Sequence, residues 1–325
     1  MDIKFVLVTG ATGFIGAHIV DALLARGLRV RGATRSPAKA QAMLNARPQY
    51  KSQLEFVQIN DFESPGGLEE AVSGVDGVIH AASPFTYNTT DNERELIIPA
   101  INGVKALFAA AHGQSPVTVK RIVLTSSFAS VLDTTRKTPP YFTYTSSDWN
   151  PQSYAHSIDP STSAVVAYRG SKKFAELAAW EFISTHKPDF DLVSLCPPMT
   201  FGPVVHPVAG LEGLNESNAM LWQAASGRSC RDLAGAHVEA LLRGEVGGGR
   251  YTVCAPERFS YGVVAGIVKE EFEGLRGGVR GGGEEQGVDE SYGLDGERAG
   301  RELGVQYRRF RETVVDFVRQ GLEMR

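Results

Sequence analysis

Three cysteines, Cys196, Cys230 and Cys254, are all that this chain of 325 residues carries. Widely spaced and odd in number, they argue against a disulfide framework and for reduced thiols of the cytoplasm. The seven histidines fall into no ligand spacing, so no metal is expected. Charge of one sign is also lacking: the net charge is −4, which leaves no basic footprint for nucleic acid. No apolar run is long enough for a bilayer, and the first strand pattern opens at residue 3, so neither a leader nor a membrane partner is expected. The Asn88-Thr89-Thr90 sequon is then incidental. One further absence is local: from position 28 through 54 there is neither Asp nor Glu.

What is present starts at the N-terminus. Ile3 to Val8 is a short run rich in β-branched residues, the pattern of a strand buried on both faces. Thr9-Gly10-Ala11-Thr12-Gly13-Phe14-Ile15-Gly16 follows it directly. Gly10 permits a tight turn, Gly13 lets backbone approach phosphate, and Gly16 lets helix and strand pack closely. From Phe14 the period becomes helical, with Ile15, Ile19 and Leu23 on one face and Gly27 at the C-terminal cap. The start of that helix presents N–H groups and a positive dipole end to a dinucleotide pyrophosphate.

The second strand, Leu28 to Thr34, ends at Arg35, with Lys39 close behind. A carboxylate at this place accepts from the ribose 2′-hydroxyl of NAD, whereas an Arg accommodates the 2′-phosphate of NADP. With no carboxylate nearby, the expected cofactor is NADP(H). Leu54 to Asn60 reads as the third strand, and Asp61-Phe62 at its end is placed to meet the adenine. A short helix from Leu68, a strand from Val75 to Ala81, a long helix from Asn92 to Ala111, and strands Arg121 to Thr125 and Asp191 to Cys196 continue the alternation. This is the α/β class: a doubly wound parallel sheet of Rossmann type with helices on both faces.

Tyr168 and Lys172 lie one turn apart in a helical pattern, hence on one face. A phenol with a pKa near 10 needs an adjacent positive charge to exchange a proton at neutral pH. A lowering by about three units asks roughly 4 kcal/mol of that charge and an oxidised nicotinamide ring together. Ser126 and Ser127 stand just past the fifth strand, at the edge where such sheets bind ligands, and either hydroxyl could orient a substrate oxygen.

Together TGATGFIG, TSS, YRGSK and CPPMTFGP resemble the extended short-chain dehydrogenase/reductase family. Within it the likeness is to the dihydroflavonol reductase-like branch, with cinnamoyl-CoA reductases and fungal methylglyoxal or aldehyde reductases. The likeness runs from Lys4 to about Pro203 and again from Arg231 to Gly321. It implies Ser127, Tyr168 and Lys172 as the catalytic trio, Ser127 being the last serine of its run. Tyr168 would protonate the alkoxide, Lys172 would bind ribose and lower the Tyr pKa, and Ser127 would polarise the carbonyl. It further implies cofactor contacts from Gly10, Thr12, Gly13, Phe14, Ile15, Gly16, Arg35, Lys39, Asp61, Phe62, Ala81, Ser83, Thr125, Pro197 and Thr200, besides Tyr168 and Lys172.

On the substrate side, Phe85, Tyr87, Phe128, Met199 and Trp222 are expected near the mouth, where they favour an apolar carbonyl substrate. The Rossmann domain is expected over 1–197, with a later contribution from about 231–256. A smaller C-terminal substrate lobe is expected from 198–230 and 257–325. One departure from the family lies before Arg231. Ala224 to Cys230 has no strand pattern where the family has an apolar strand, as if a dozen residues were missing. Gly274 to Gly287, half glycine, reads as a surface loop. The expected function is NADPH-dependent reduction of an aldehyde or ketone by a monomer or homodimer. Competing readings are an NAD-dependent sugar-nucleotide epimerase or dehydratase, and a non-catalytic NADP(H)-binding regulator or degraded enzyme.

Overall fold

The computed structural model describes residues 1–61, 65–83, 89–136, 142–224, 230–257, 260–277 and 292–324. Its main sheet has seven parallel strands: β1 (Phe5–Thr9), β2 (Arg29–Thr34), β3 (Leu54–Gln58), β4 (Gly77–His80), β5 (Arg121–Thr125), β7 (Asp191–Cys196) and β8 (Arg250–Thr252), in the order β3-β2-β1-β4-β5-β7-β8. A second, two-stranded sheet pairs β6 (Phe142–Tyr144) with β9 (Tyr292–Leu294). The chain begins mid-sheet, winds outward through β2 and β3, and returns to β4 on the other side of β1. The crevice at that reversal, outside the carboxyl ends of β1 and β4, is where open α/β sheets take their ligands.

The sheet is covered on both faces. Helices α1 (Phe14–Ala25) and α8 (Cys230–Leu242) enclose one core with Ile19, Leu23, Ile79, Val193 and Leu241. Helices α3 (Pro65–Val72), α4 (Ile98–His112) and α6 (Ala164–His186) enclose the other with Leu68, Leu107, Phe108, Ile122 and Leu192. Helix α2 (Pro37–Asn45) follows β2, and α5 (Tyr154–Ile158) precedes α6. The remaining helices are α7 (Glu216–Ala224), α9 (Tyr261–Glu271), α10 (Glu297–Leu303) and α11 (Phe310–Glu323). On α11, Phe310, Val314, Phe317 and Val318 recur at helical spacing and join Phe201, Val264 and Val268 in a separate lobe core. No helix among the described residues is long and apolar enough to cross a membrane.

Gly27 adopts φ of +77° just past Arg26, as its place at the end of α1 predicts. The long helix differs from expectation at its start. Pro99 has no N–H for the ordinary ladder, and the turn before α4, Glu93–Ile97, is a wide π turn. Strand β8 and the β6–β9 pair were not expected: each strand is three residues long, too short to show a period. Between α7 and β8 the described residues carry no strand, and residues 225–229, where the expected shortfall falls, lie outside them. Most of the glycine-rich stretch, from 278 on, also lies outside them.

Candidate active site

A cavity of about 540 Å³ follows the carboxyl edge of the sheet, a size suited to a cofactor. At one end its wall is Gly10, Thr12 and Gly13 of the first loop, with Ala81, Ala82 and Ser83 after β4. Thr34, Arg35, Ser36 and Lys39 close the β2 side, beside Asn60 and Asp61. The far end is Thr125, the last residue of β5, and Ser126 after it, with Lys172, Ala175 and Glu176 of α6.

The loop geometry explains its glycines. Gly10 has φ of +68°, and a Cβ there would stand 2.9 Å from the Ala82 amide nitrogen. Gly13 donates its N–H to the Gly10 carbonyl at 2.9 Å and caps α1 without any side-chain hydrogen bond. A Cβ on Gly16 would collide with the Gly10 carbonyl oxygen. Phe14, Ile15 and Gly16 stand behind the cavity wall: Phe14 meets His18 and His206 edge-on at 5.6 and 6.3 Å, and Ile15 packs on the core. Phe62 lies outside the described residues.

At the β2 end, Arg35 and Lys39 are exposed side chains around the N-terminus of α2. Ser36 caps that helix, its oxygen accepting from the Lys39 amide at 3.3 Å. Thr34 accepts from the Ser36 amide at 3.2 Å and lies 3.1 Å from the Thr12 hydroxyl, which ties the two loops together.

At the other end α6 presents Lys172, buried, and Tyr168, half-buried, on one face. Lys172 donates to the Thr125 carbonyl at 3.5 Å. Burial draws its ammonium down to about 8, against the opposing pull of Glu176. The two serines separate cleanly. The Ser126 hydroxyl donates to Glu176 at 2.6 Å, turned away into the protein. Ser127 is half-buried at the start of a single 3₁₀ turn, Phe128–Ser130, and its oxygen accepts from the Ala129 amide at 3.1 Å. The Pro197 carbonyl accepts from the Phe128 amide at 2.8 Å and so anchors that turn to the end of β7.

Pro197, Met199 and Thr200 line a separate hollow of about 30 Å³ with Asp232 and Tyr307. Phe128 packs against Tyr144 and Tyr292 of the small sheet, with ring centroids at 5.9 and 5.6 Å. Trp222, half-buried, packs against the lobe core, edge-on to Phe317 at 6.1 Å and over Gly321. Phe85 and Tyr87 lie outside the described residues. No group of three or more His, Cys, Asp or Glu among the described residues could hold a metal.

Several wall residues escaped the sequence reading. Ser36 carried a readable signal, a capping serine before a proline at a helix start. Pro99, Ala100, Gly103 and Val104 form one small-residue face of α4 against the cavity. His80 ends β4 inside the cavity wall and shares a 2.8 Å hydrogen bond with Thr9. Behind Thr125, His237 donates from Nδ1 to the Leu233 carbonyl at 2.8 Å, because a carbonyl can only accept. Its Nε2 therefore accepts the Thr125 hydroxyl at 2.7 Å.

Burial holds both imidazoles neutral: His80 is lowered to about 3, with Lys172 adding to the effect, and His237 to about 4. Below pH 6.5 the unfolded chain therefore binds protons that the fold refuses. The stabilisation is complete above that pH and is lost as pH falls towards these values. At roughly 1.4 kcal/mol per unit, the two are worth on the order of 5 kcal/mol by pH 4. The melting temperature should fall steeply between pH 7 and 4, and His237→Gln, which cannot titrate, should lose less over that interval.

Comparison with known proteins fits this geometry. Residues 6–210 match the NAD dependent epimerase/dehydratase family. An uncharacterized oxidoreductase of Schizosaccharomyces pombe is 37% identical over 284 residues, 84% of this chain and 83% of its own. The NADPH-dependent methylglyoxal reductase Gre2 of Saccharomyces cerevisiae is 32% identical, with 98% of each chain covered. That alignment runs over 342 positions, more than the 325 residues of this chain, so Gre2 has residues that this chain lacks. The crystal structure of yeast methylglyoxal/isovaleraldehyde reductase Gre2 complexed with NADPH superimposes with a TM-score of 0.88 at 31% identity, covering 98% of both chains. The chain belongs to the NAD dependent epimerase/dehydratase family, a family of extended short-chain dehydrogenases/reductases.

Proposed function

We propose that this protein is an NADPH-dependent reductase of aldehydes or ketones, with Ser127, Tyr168 and Lys172 as its catalytic residues. The observation that carries the reading is one continuous cavity with a phosphate cradle at one end and Lys172 at the other. The residues fit the cofactor. A Cβ would fill the cradle at Gly10, α1 offers its uncapped first turn, and Arg35 and Lys39 offer cations beside the Ser36 hydroxyl. Gre2, a relative matched over 98% of its length, is named for NADPH and for methylglyoxal and isovaleraldehyde, small carbonyl compounds.

NADPH, when bound, supplies the hydride that adds to the carbonyl carbon. The chain's own residues handle the oxygen. Ser127 uses one lone pair to accept from Ala129, which leaves its O–H to donate to the carbonyl oxygen, a bond that strengthens as negative charge collects there. Tyr168 gives its phenolic proton to that oxygen, and the alcohol leaves. Lys172, one turn away, stabilises the phenolate until solvent restores the proton. Arg35 at the end of β2, with no carboxylate from 28 through 54, opposes the NAD-dependent epimerase reading.

Incubation of the purified protein with NADPH and methylglyoxal or isovaleraldehyde should yield the corresponding alcohol and equimolar NADP⁺. Protein that arrives with tightly held NAD and converts a nucleotide sugar without net oxidation would contradict the assignment. Gly16→Ala should weaken NADPH binding at least tenfold and cost about 1–3 kcal/mol, because its methyl group meets the Gly10 carbonyl. Isothermal titration and thermal melts read both effects.

A further inference from the structure

Beneath the reaction centre lies a buried charge with no step of its own in the reduction. Glu176 follows Lys172 by one turn of α6 and is wholly enclosed, at 0% exposure. Its carboxylate pairs with Arg250 of β8 at 2.7 Å. It also accepts the hydroxyls of Ser126, Ser130 and Ser194 at 2.6, 2.7 and 2.6 Å. Arg250 in turn donates to the carbonyls of Ser146 and Asp148 at 2.8 and 2.7 Å and lies 3.8 Å over the Trp149 ring. Closing the fold here does not call for charge, since a well-packed apolar pair is often as stable as a buried ion pair.

Two placements connect this pair to the reaction. Ser126 and Ser130 bracket Ser127 in sequence, and both hydroxyls converge on the one carboxylate, so the turn carrying Ser127 is pinned at each end. Lys172, meanwhile, is faced by Glu176 and Tyr168 on its own helix, by His80 from β4, by the Thr125 carbonyl from β5 and by Cys196 from β7. Burial and Glu176 push the Cys196 thiol up to about 12, and burial keeps His80 neutral. Glu176 itself, which burial would raise, is held below the usual carboxylate range by Arg250 and the serines. Among these groups it is the carboxylate.

We propose that Glu176 is a positioning residue for the reduction: clamped by Arg250, it fixes the turn that presents Ser127 and supplies the negative charge that keeps buried Lys172 an ammonium. The inference rests on the roles given above to Ser127 and Lys172.

Glu176→Gln keeps the shape and one acceptor but removes the charge. The alkaline fall of kcat/KM for NADPH-dependent carbonyl reduction should then move at least one pH unit lower, with turnover at pH 7 reduced tenfold or more. Glu176→Asp, which keeps the charge, should return the fall towards its wild-type position. A residue that only braced the fold would lower the melting temperature and leave that limb in place. Because Glu176→Gln strands Arg250, the pair Glu176→Gln/Arg250→Gln is measured beside it. With both charges gone its alkaline limb should move less, but release of the Ser127 turn should still cost turnover tenfold or more, and that loss decides if the single variant does not fold. An unmoved alkaline limb in folded Glu176→Gln, or wild-type turnover in the folded pair, overturns the inference. If Tyr168→Phe also retained turnover, the catalytic reading beneath it would be what failed.

Discussion

Tyr168→Phe should reduce carbonyl turnover by about a thousandfold or more, within the range that a positioned proton donor contributes. NADPH affinity should stay within a few-fold of wild type. The reason for the split is local. Phenylalanine keeps the ring where Tyr168 is half-buried and leaves Lys172 and the phosphate loop untouched, so only the proton donor is lost. Initial rates of NADPH oxidation and a fluorescence titration of NADPH, run on the same preparation, separate the two quantities. Near-normal turnover would remove Tyr168 from the chemistry. A parallel loss of binding would mean that the side chain holds cofactor and would leave its proton role without support.

The second large effect is expected at the other end of the cavity. Arg35→Asp removes a guanidinium from the exposed rim beside Ser36 and Lys39 and puts a carboxylate in its place. A charge-assisted hydrogen bond contributes roughly 1.5–3 kcal/mol, and the new carboxylate both repels a 2′-phosphate and accepts from a 2′-hydroxyl. The NADPH/NADH ratio of kcat/KM should therefore fall by about a hundredfold or more, with kcat on NADPH less affected than KM. An unchanged ratio would show that Arg35 is not the phosphate contact and would shift attention to Lys39.

How much of this was legible in the chain depends on the length of the signal. The first loop was readable in full, because an apolar run, spaced glycines and a helical period each constrain the backbone locally. Gly10 at φ of +68° and the space that Gly16 leaves for the Gly10 carbonyl are the physical content of that motif. Tyr168 and Lys172 were readable as a helical pair. The choice between Ser126 and Ser127 was not, and family likeness alone made it. The structure adds a reason, since the Ser126 hydroxyl is committed to Glu176. Arg250 could not be found from sequence: its strand is three residues long after a glycine run, and its partner Glu176 is 74 positions away. Trp222 shows the opposite difficulty. An aromatic residue reads alike whether it walls a pocket or fills a core, and here it packs on Phe317.

The most direct test is to measure NADPH binding and carbonyl-dependent NADPH oxidation in parallel on the purified wild-type protein, across a panel of aldehydes, α-diketones and aromatic ketones. Saturable NADPH binding, tighter than NADH, together with oxidation that requires the carbonyl compound, is the predicted result. Absence of NADPH binding by folded protein would contradict the cofactor site at its foundation, and binding with no oxidation by any carbonyl compound would contradict the reductase.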